Sequence, residues 1–182
     1  MNLKKLGKEA GRHLDEVDLV ILQQLQQHGR RKASELAEIT HLSVPAVGDR
    51  IRKLEEAGII MGYHAVIDHR KVGWDVSAFI VVTVDSSERY PAFIGQVQKD
   101  DEILECHAIT GEGTHLLKIR TQTTESLEKL LARIQSWPGV AQTRTRVTLS
   151  SPKETRVIPL ANDTAAGRTI GTREHPWLSI HR

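Results

Sequence analysis

Hydrophobic positions recur at helical spacing from Leu14 onward. Val17, Ile21 and Leu25, flanked by Val20 and Leu22, place apolar side chains on one helical face. Asp15 stands where an N-cap accepts an amide N–H, and Asp18 follows three residues later. Leu14 and Leu19 occupy hydrophobic-staple positions. The pattern stops at His28-Gly29, a natural helix end, so the spacing predicts a helix over 15–28. Leu36, Ala37 and Ile39 predict a second, shorter helix over about 33–40, with Lys32 where Ser or Asp would cap better. After the turn Thr40-His41-Leu42, Ser43 caps a third helix over 44–57. Pro45 falls in its first turn, where a missing N–H costs little. Val47, Ile51 and Leu54 form its inner stripe and Gly58 ends it. The alternating run IIMGYHAVID, with Gly62 near its middle, predicts a small two-stranded wing.

From Val72 the period changes. Strands are predicted over 76–85, 102–110, 115–121 and 140–150, and helices over 88–98 and 124–136. Gly111-Glu112-Gly113 supplies a turn between the second and third strands, and Pro138-Gly139 breaks the last helix. The order β-α-β-β-α-β is the split βαβ, ferredoxin-like arrangement. The expected fold is therefore α+β, with a winged helix-turn-helix over 13–66, a linker over 67–75, a ferredoxin-like domain over 76–155 and a tail over 156–182. Strand 76–85 is apolar on both faces, and self-association is the simplest cover for the face without helices. Beyond Pro159 periodicity is lost. That stretch reads as a mobile tail, or as one in which Trp177, Leu178 and Ile180 dock a short segment on a partner.

Composition narrows the class. The 182 residues are 39% hydrophobic and 26% charged, ordinary for a globular protein. No run approaches the roughly 18–20 apolar residues of a membrane span, and the N-terminus lacks the apolar core of a signal peptide. The single Cys106 excludes an internal disulfide framework and a thiolate zinc site, and fits a reducing, cytoplasmic setting. A net charge of +2 does not by itself indicate nucleic acid. Distribution is more telling. Lys4, Lys5, Lys8 and Arg12 stand against Glu9 alone, which suits a DNA-touching arm or a solvated terminus. Over 13–66 acids outnumber cations, yet the cations cluster at 30–32 and 50–53. A recognition helix needs an apolar anchor behind and small or polar side chains in front. Ser43, Pro45, Ala46, Asp49, Arg50, Arg52 and Lys53 are the candidate DNA contacts, and Arg30, Arg31 and Lys32 the candidate phosphate holders. Alanine at Arg50 is expected to weaken binding to double-stranded DNA.

LDEVDLVILQQLQQHGR, followed by ELAEITHLSVPAVGDRIRKLEEAGIIMGYHAVID, resembles the helix-turn-helix of the leucine-responsive/AsnC (feast/famine) regulators. ILECHAITGEGTHLLKI and WPGVAQTRTRVTL resemble strands of that family's ligand domain. The resemblance spans about 13–155 and implies a sequence-specific transcription regulator, not an enzyme, with no cofactor or metal. It further implies homodimers assembling to octamers, palindromic DNA, and an amino-acid effector bound between dimers near Thr110, Gly111, Glu112, Gly113, Thr114 and His115. The chemistry suits an amino acid, since turn N–H groups and Thr hydroxyls can hold a carboxylate while an acid receives an ammonium. Three features depart from the pattern: a tail beyond about residue 160 that exceeds what the family fold needs, and two stretches of different residue type. Gly113-Thr114-His115 stand where the family usually has an aromatic and an acidic residue, and Gly48-Asp49 where it tends to have Ser and a basic residue.

Two alternatives share this layout. One is a haem-biosynthetic decarboxylase, to which His107 and His115, on neighbouring strands, could contribute an anion or metal site. The other is a ligand-free architectural DNA-binding protein. Cys106 reads as a buried small hydrophobe, Trp74 and Trp137 as packing residues, and Tyr63 as an anchor for the wing.

Overall fold

A computed structural model describes residues 14–160. These form two units, 14–65 joined by 156–160, and 66–155. The arm 1–12 and the tail segment with Trp177, Leu178 and Ile180 lie outside the described residues.

In the first unit, α1 spans Glu16–Gln27, α2 Ala33–Thr40 and α3 Val44–Glu56. Asp15 caps α1, its Oδ1 accepting the Asp18 N–H at 2.8 Å. Lys32 gives α2 no side-chain cap. His41 ends α2 in the left-handed region at φ 56°, which turns the chain sharply into α3. Ser43 Oγ then accepts the Ala46 N–H at 3.3 Å and starts α3. Ile21, Leu22, Leu36, Ala37, Val47 and Leu54 form the core of this unit. Leu54 is fully buried, and its truncation to Ala would cost about 2–5 kcal/mol.

Two expectations change here. The alternating run after α3 forms no ladder, and residues 61–68 run without strand pairing. The amides of Ile59 and Ile60 instead bond back to the Leu54 carbonyl, at 2.9 and 3.1 Å, and close the helix end. Alternation sets a face, but a strand also needs a neighbour to accept its N–H groups. The segment from 156, assigned to the tail, begins by returning to this unit, ahead of the aperiodic stretch beyond Pro159. The Ile158 N–H donates to Gln26 Oε1 at 2.9 Å, and Gln26 Nε2 donates to the Ile158 carbonyl at 3.2 Å. Leu160 packs against the helical core.

The second unit has β1 (Val76–Val84), α4 (Tyr90–Val97), β2 (Ile103–Ala108), β3 (His115–Thr121), α5 (Thr124–Gln135) and β4 (Val140–Val147). The sheet is antiparallel, in the order β2-β3-β1-β4, as the ferredoxin-like reading requires. Only ends differ. Ser87–Arg89 form a 3-10 turn ahead of α4, for example. Ala78, Ile80, Val82 and Val84 of β1 face α4 and α5 and pack on Phe93, Val97, Leu127, Leu130 and Ile134. Cys106 lies partly buried against this core, and burial pushes its thiol pKa up. Trp137 packs edge-on against Phe93, ring centres 5.9 Å apart. On the outer face Phe79 remains exposed, while Val81 is buried because the β2–β3 turn folds over it.

Candidate DNA interface and effector loop

Helix α3 carries a fully buried stripe, Val47 and Leu54, with Ile51 partly buried beside them. That stripe fixes what the other faces present. At about 100° per residue, Pro45, Asp49, Arg52 and Lys53 fall opposite the stripe. Ser43 and Pro45 are exposed and Ala46 half-buried at the N-terminal end. Gly48 is exposed, and a Cβ there would meet no atom within 4 Å.

The charges on this front face neutralise one another in the free protein. The Asp49 carboxylate holds Lys53 Nζ at 2.7 Å and also pairs with Arg52. Arg52 reaches Glu56 at 2.7 Å as well. Hydrogen bonds from Lys53 and then Arg52 hold the Asp49 carboxyl below the usual carboxylate range. All these groups are solvent-exposed, so the pairs are weak and exchangeable.

The structure places Arg50 differently from its neighbours. Its guanidinium turns away from the front face onto α1, where Nη1 lies 2.7 Å from Asp15 Oδ2 and 2.8 Å from Asp18 Oδ1. Asp18 is 2% exposed. Arg30 and Lys32 are exposed where α2 begins, whereas Arg31 is mostly covered and sits 4.0 Å from Glu35.

The candidate effector loop, 110–114, is a tightly pinned turn. The Thr114 N–H donates to the Val82 carbonyl at 2.9 Å, and the Thr114 hydroxyl accepts the Val84 N–H at 3.0 Å. Gly111 and Gly113 both adopt left-handed φ, 94° and 79°. A Cβ on Gly113 would also lie 2.3 Å from Val81 Cγ1, so only glycine lets the turn rest on β1. The turn carries Glu112 to β4, where its carboxylate pairs with Arg144 and lies 3.7 Å from Arg146. Thr110, Gly111 and Glu112 are exposed there. Sequence reasoning missed Arg144 and Arg146; their alternation along β4 is the one signal that could have shown them sharing a face.

His115 does not share that surface. It is 2% exposed, wedged between Tyr90 and Phe93 with both ring centres at 4.8 Å, and burial lowers its pKa. His107 pairs in register with Leu116, and His115 with Ala108. The two histidines therefore point to opposite faces of the sheet, and His107 bonds Glu105 at 3.1 Å on the outside. The convergent histidine site considered from the sequence does not form. Among the described residues no group of three or more His, Cys, Asp or Glu could hold a metal ion, and no helix is long and apolar enough to cross a membrane.

Comparison with known proteins agrees with this division. Residues 14–61 match the winged helix-turn-helix DNA-binding model, and residues 77–158 the Lrp/AsnC ligand binding domain. The chain is 37% identical over 147 residues to the HTH-type transcriptional regulator FL11 of Pyrococcus horikoshii, covering 81% of this chain and 97% of that protein. It superposes on a transcriptional regulator of Neisseria meningitidis in complex with L-Met with a TM-score of 0.77 and 32% identity, covering 81% of this chain and 97% of that one. For Escherichia coli AsnC the TM-score is 0.76 and the identity 27%, covering 81% of this chain and all of that one (100%).

Proposed function

The chain belongs to the Lrp/AsnC family of DNA-binding transcriptional regulators, and from that premise we propose that it reads a palindromic site through α3 and responds to an amino acid. The observation that carries the reading is α3 itself, with Val47 and Leu54 buried behind and Ser43, Pro45, Ala46, Asp49, Arg52 and Lys53 in front. A helix so anchored can enter the major groove with its N-terminal side chains on base edges. Asp49 suits a cytosine N4 donor, and taking that donor releases Arg52 and Lys53 toward phosphate. At α2, the absence of a side-chain cap leaves the first N–H groups for a phosphate oxygen, with Arg30 and Lys32 exposed beside it and Arg31 close by.

The effector reading rests on the 110–114 turn. Glu112 offers an acceptor for an ammonium, and Arg144 with Arg146 offers donors for a carboxylate. Two structural neighbours, from Neisseria meningitidis and Mycobacterium tuberculosis, hold L-methionine. His115 acts from below as packing under this turn. The outer sheet face, where Phe79 is 38% exposed, is the surface for homodimer formation, and dimers assemble further to octamers. The role is regulatory and cytoplasmic, without catalysis.

Selection of bound genomic fragments followed by footprinting tests the DNA reading. Protection of two half-sites about one helical turn apart, or a multiple of it, is expected. Uniform protection without preferred sequence would contradict it. A thermal-shift screen of the amino acids tests the effector reading; an amino acid that raises the melting temperature should lose that effect in Glu112→Gln.

A further inference from the structure

We infer that Arg50 is a positioning residue, which sets the recognition helix against α1 through Asp15 and Asp18 and makes no DNA contact. The inference rests on the reading of α3 as the DNA-reading element. One guanidinium nitrogen, Nη1, serves both carboxylates, at 2.7 and 2.8 Å. The Asp15 carboxylate is shared in turn, because its Oδ1 caps α1 by accepting the Asp18 N–H. The start of α1, the N-cap side chain and the second turn of α3 are thereby held in one charged hydrogen-bond network. Asp18 is 2% exposed, so this end of the network lies inside the helical unit. An Arg50 head that left for a phosphate would give up both of its contacts on α1. It would also bring the DNA backbone toward two carboxylates. Arg52 and Lys53 face no such obstacle, since their partners on α3 are all exposed.

The distinction has a sign. If Arg50 gripped DNA, Asp15 would compete for it, and Asp15→Asn would strengthen binding. If Arg50 positions α3, Asp15→Asn loosens the network and weakens discrimination. Asp15 is half exposed, and Asn can still cap α1, so this variant keeps its fold.

The test uses the full chain, with operator and scrambled duplexes measured over a series of salt concentrations. Wild type is compared with Asp15→Asn, Asp18→Asn, Arg50→Gln and the Asp18→Asn/Arg50→Gln double variant. Each single variant is expected to lower the operator-to-scrambled affinity ratio on the order of tenfold, with the double variant no worse than Arg50→Gln. The salt slope of Arg50→Gln stays at the wild-type value, because no phosphate contact is lost. A slope reduced by about one in Arg50→Gln, or tighter operator binding by Asp15→Asn, would overturn the inference. An unchanged affinity ratio in Asp15→Asn and Arg50→Gln, with only the melting temperature lowered, would overturn it too, since the network would then merely stabilise the unit. Failure of wild type to prefer any operator would refute the reading of α3 instead.

Discussion

Asp49 and Arg50 are neighbours in sequence, yet they anchor opposite kinds of network on the two flanks of α3. On the front flank one carboxylate holds two cations of the same helix, all exposed. On the rear flank one cation holds two carboxylates of another helix, one of them buried. The geometry of the contacts is similar and their consequences are not. Exposed pairs in high dielectric contribute little and exchange readily, so the front can trade its partners for DNA. A pair with one buried member is screened less by solvent and exchanges less readily, so the rear holds its shape.

The largest effect that would break this comparison is on stability. Arg50→Gln should destabilise the N-terminal unit by about 2 kcal/mol, the scale of losing charge-assisted hydrogen bonds to α1, read by hydrogen exchange of the α1–α3 amides. Arg52→Ala should leave those amides unchanged. Next comes recognition. Asp49→Asn should raise affinity for scrambled DNA and lower discrimination on the order of tenfold, because Arg52 and Lys53 lose their tether and the base acceptor weakens. Equal discrimination in wild type and Asp49→Asn would remove Asp49 from the reading face. A smaller effect is expected at Gly48, where open space surrounds the missing Cβ. Gly48→Ala should stabilise α3 by about 0.5–1 kcal/mol in thermal or denaturant unfolding, and a loss of stability would mean that the helix needs glycine there.

The smallest effects distinguish the two units by pH. Burial holds the His115 imidazole below its ordinary pKa of 6.5, so the unfolded chain takes up that proton first. Its contribution is complete above about 6.5 and is lost as pH falls below that value. The hydrogen bond donated by the Asp18 N–H holds the Asp15 carboxyl below its ordinary 3.8. Its contribution is present above 3.8 and is lost as pH falls through the folded value. Solvent screening keeps this term small. Hydrogen exchange should therefore show the 66–155 unit weakening first on acidification, and His115→Gln should flatten that response.

Much of this fold was legible in the sequence. The caps Asp15 and Ser43, the stripe Val47-Ile51-Leu54 and the βαββαβ order all stand as read, because each depends on local spacing. What was missed depends on distance along the chain. Asp15 and Asp18 meet Arg50 across 35 and 32 residues, which no periodicity encodes. The helical wheel did hold a hint: Arg50 lies roughly 60° from the middle of the buried stripe, nearer the seam than the front. His107 and His115 were placed together because they share a hairpin, but which faces they take depends on strand register. The Glu112 partners Arg144 and Arg146 follow from the turn folding over Val81, which Gly113 alone permits. The return of Ile158 and Leu160 to the helical unit had no pattern to announce it.

The most direct test of the account is the salt dependence of operator binding in Arg52→Ala and wild type. A log–log slope shallower by about one is expected in the variant, as a phosphate contact on the front of α3 disappears. An unchanged slope, with unchanged affinity, would contradict the placement of DNA against this face.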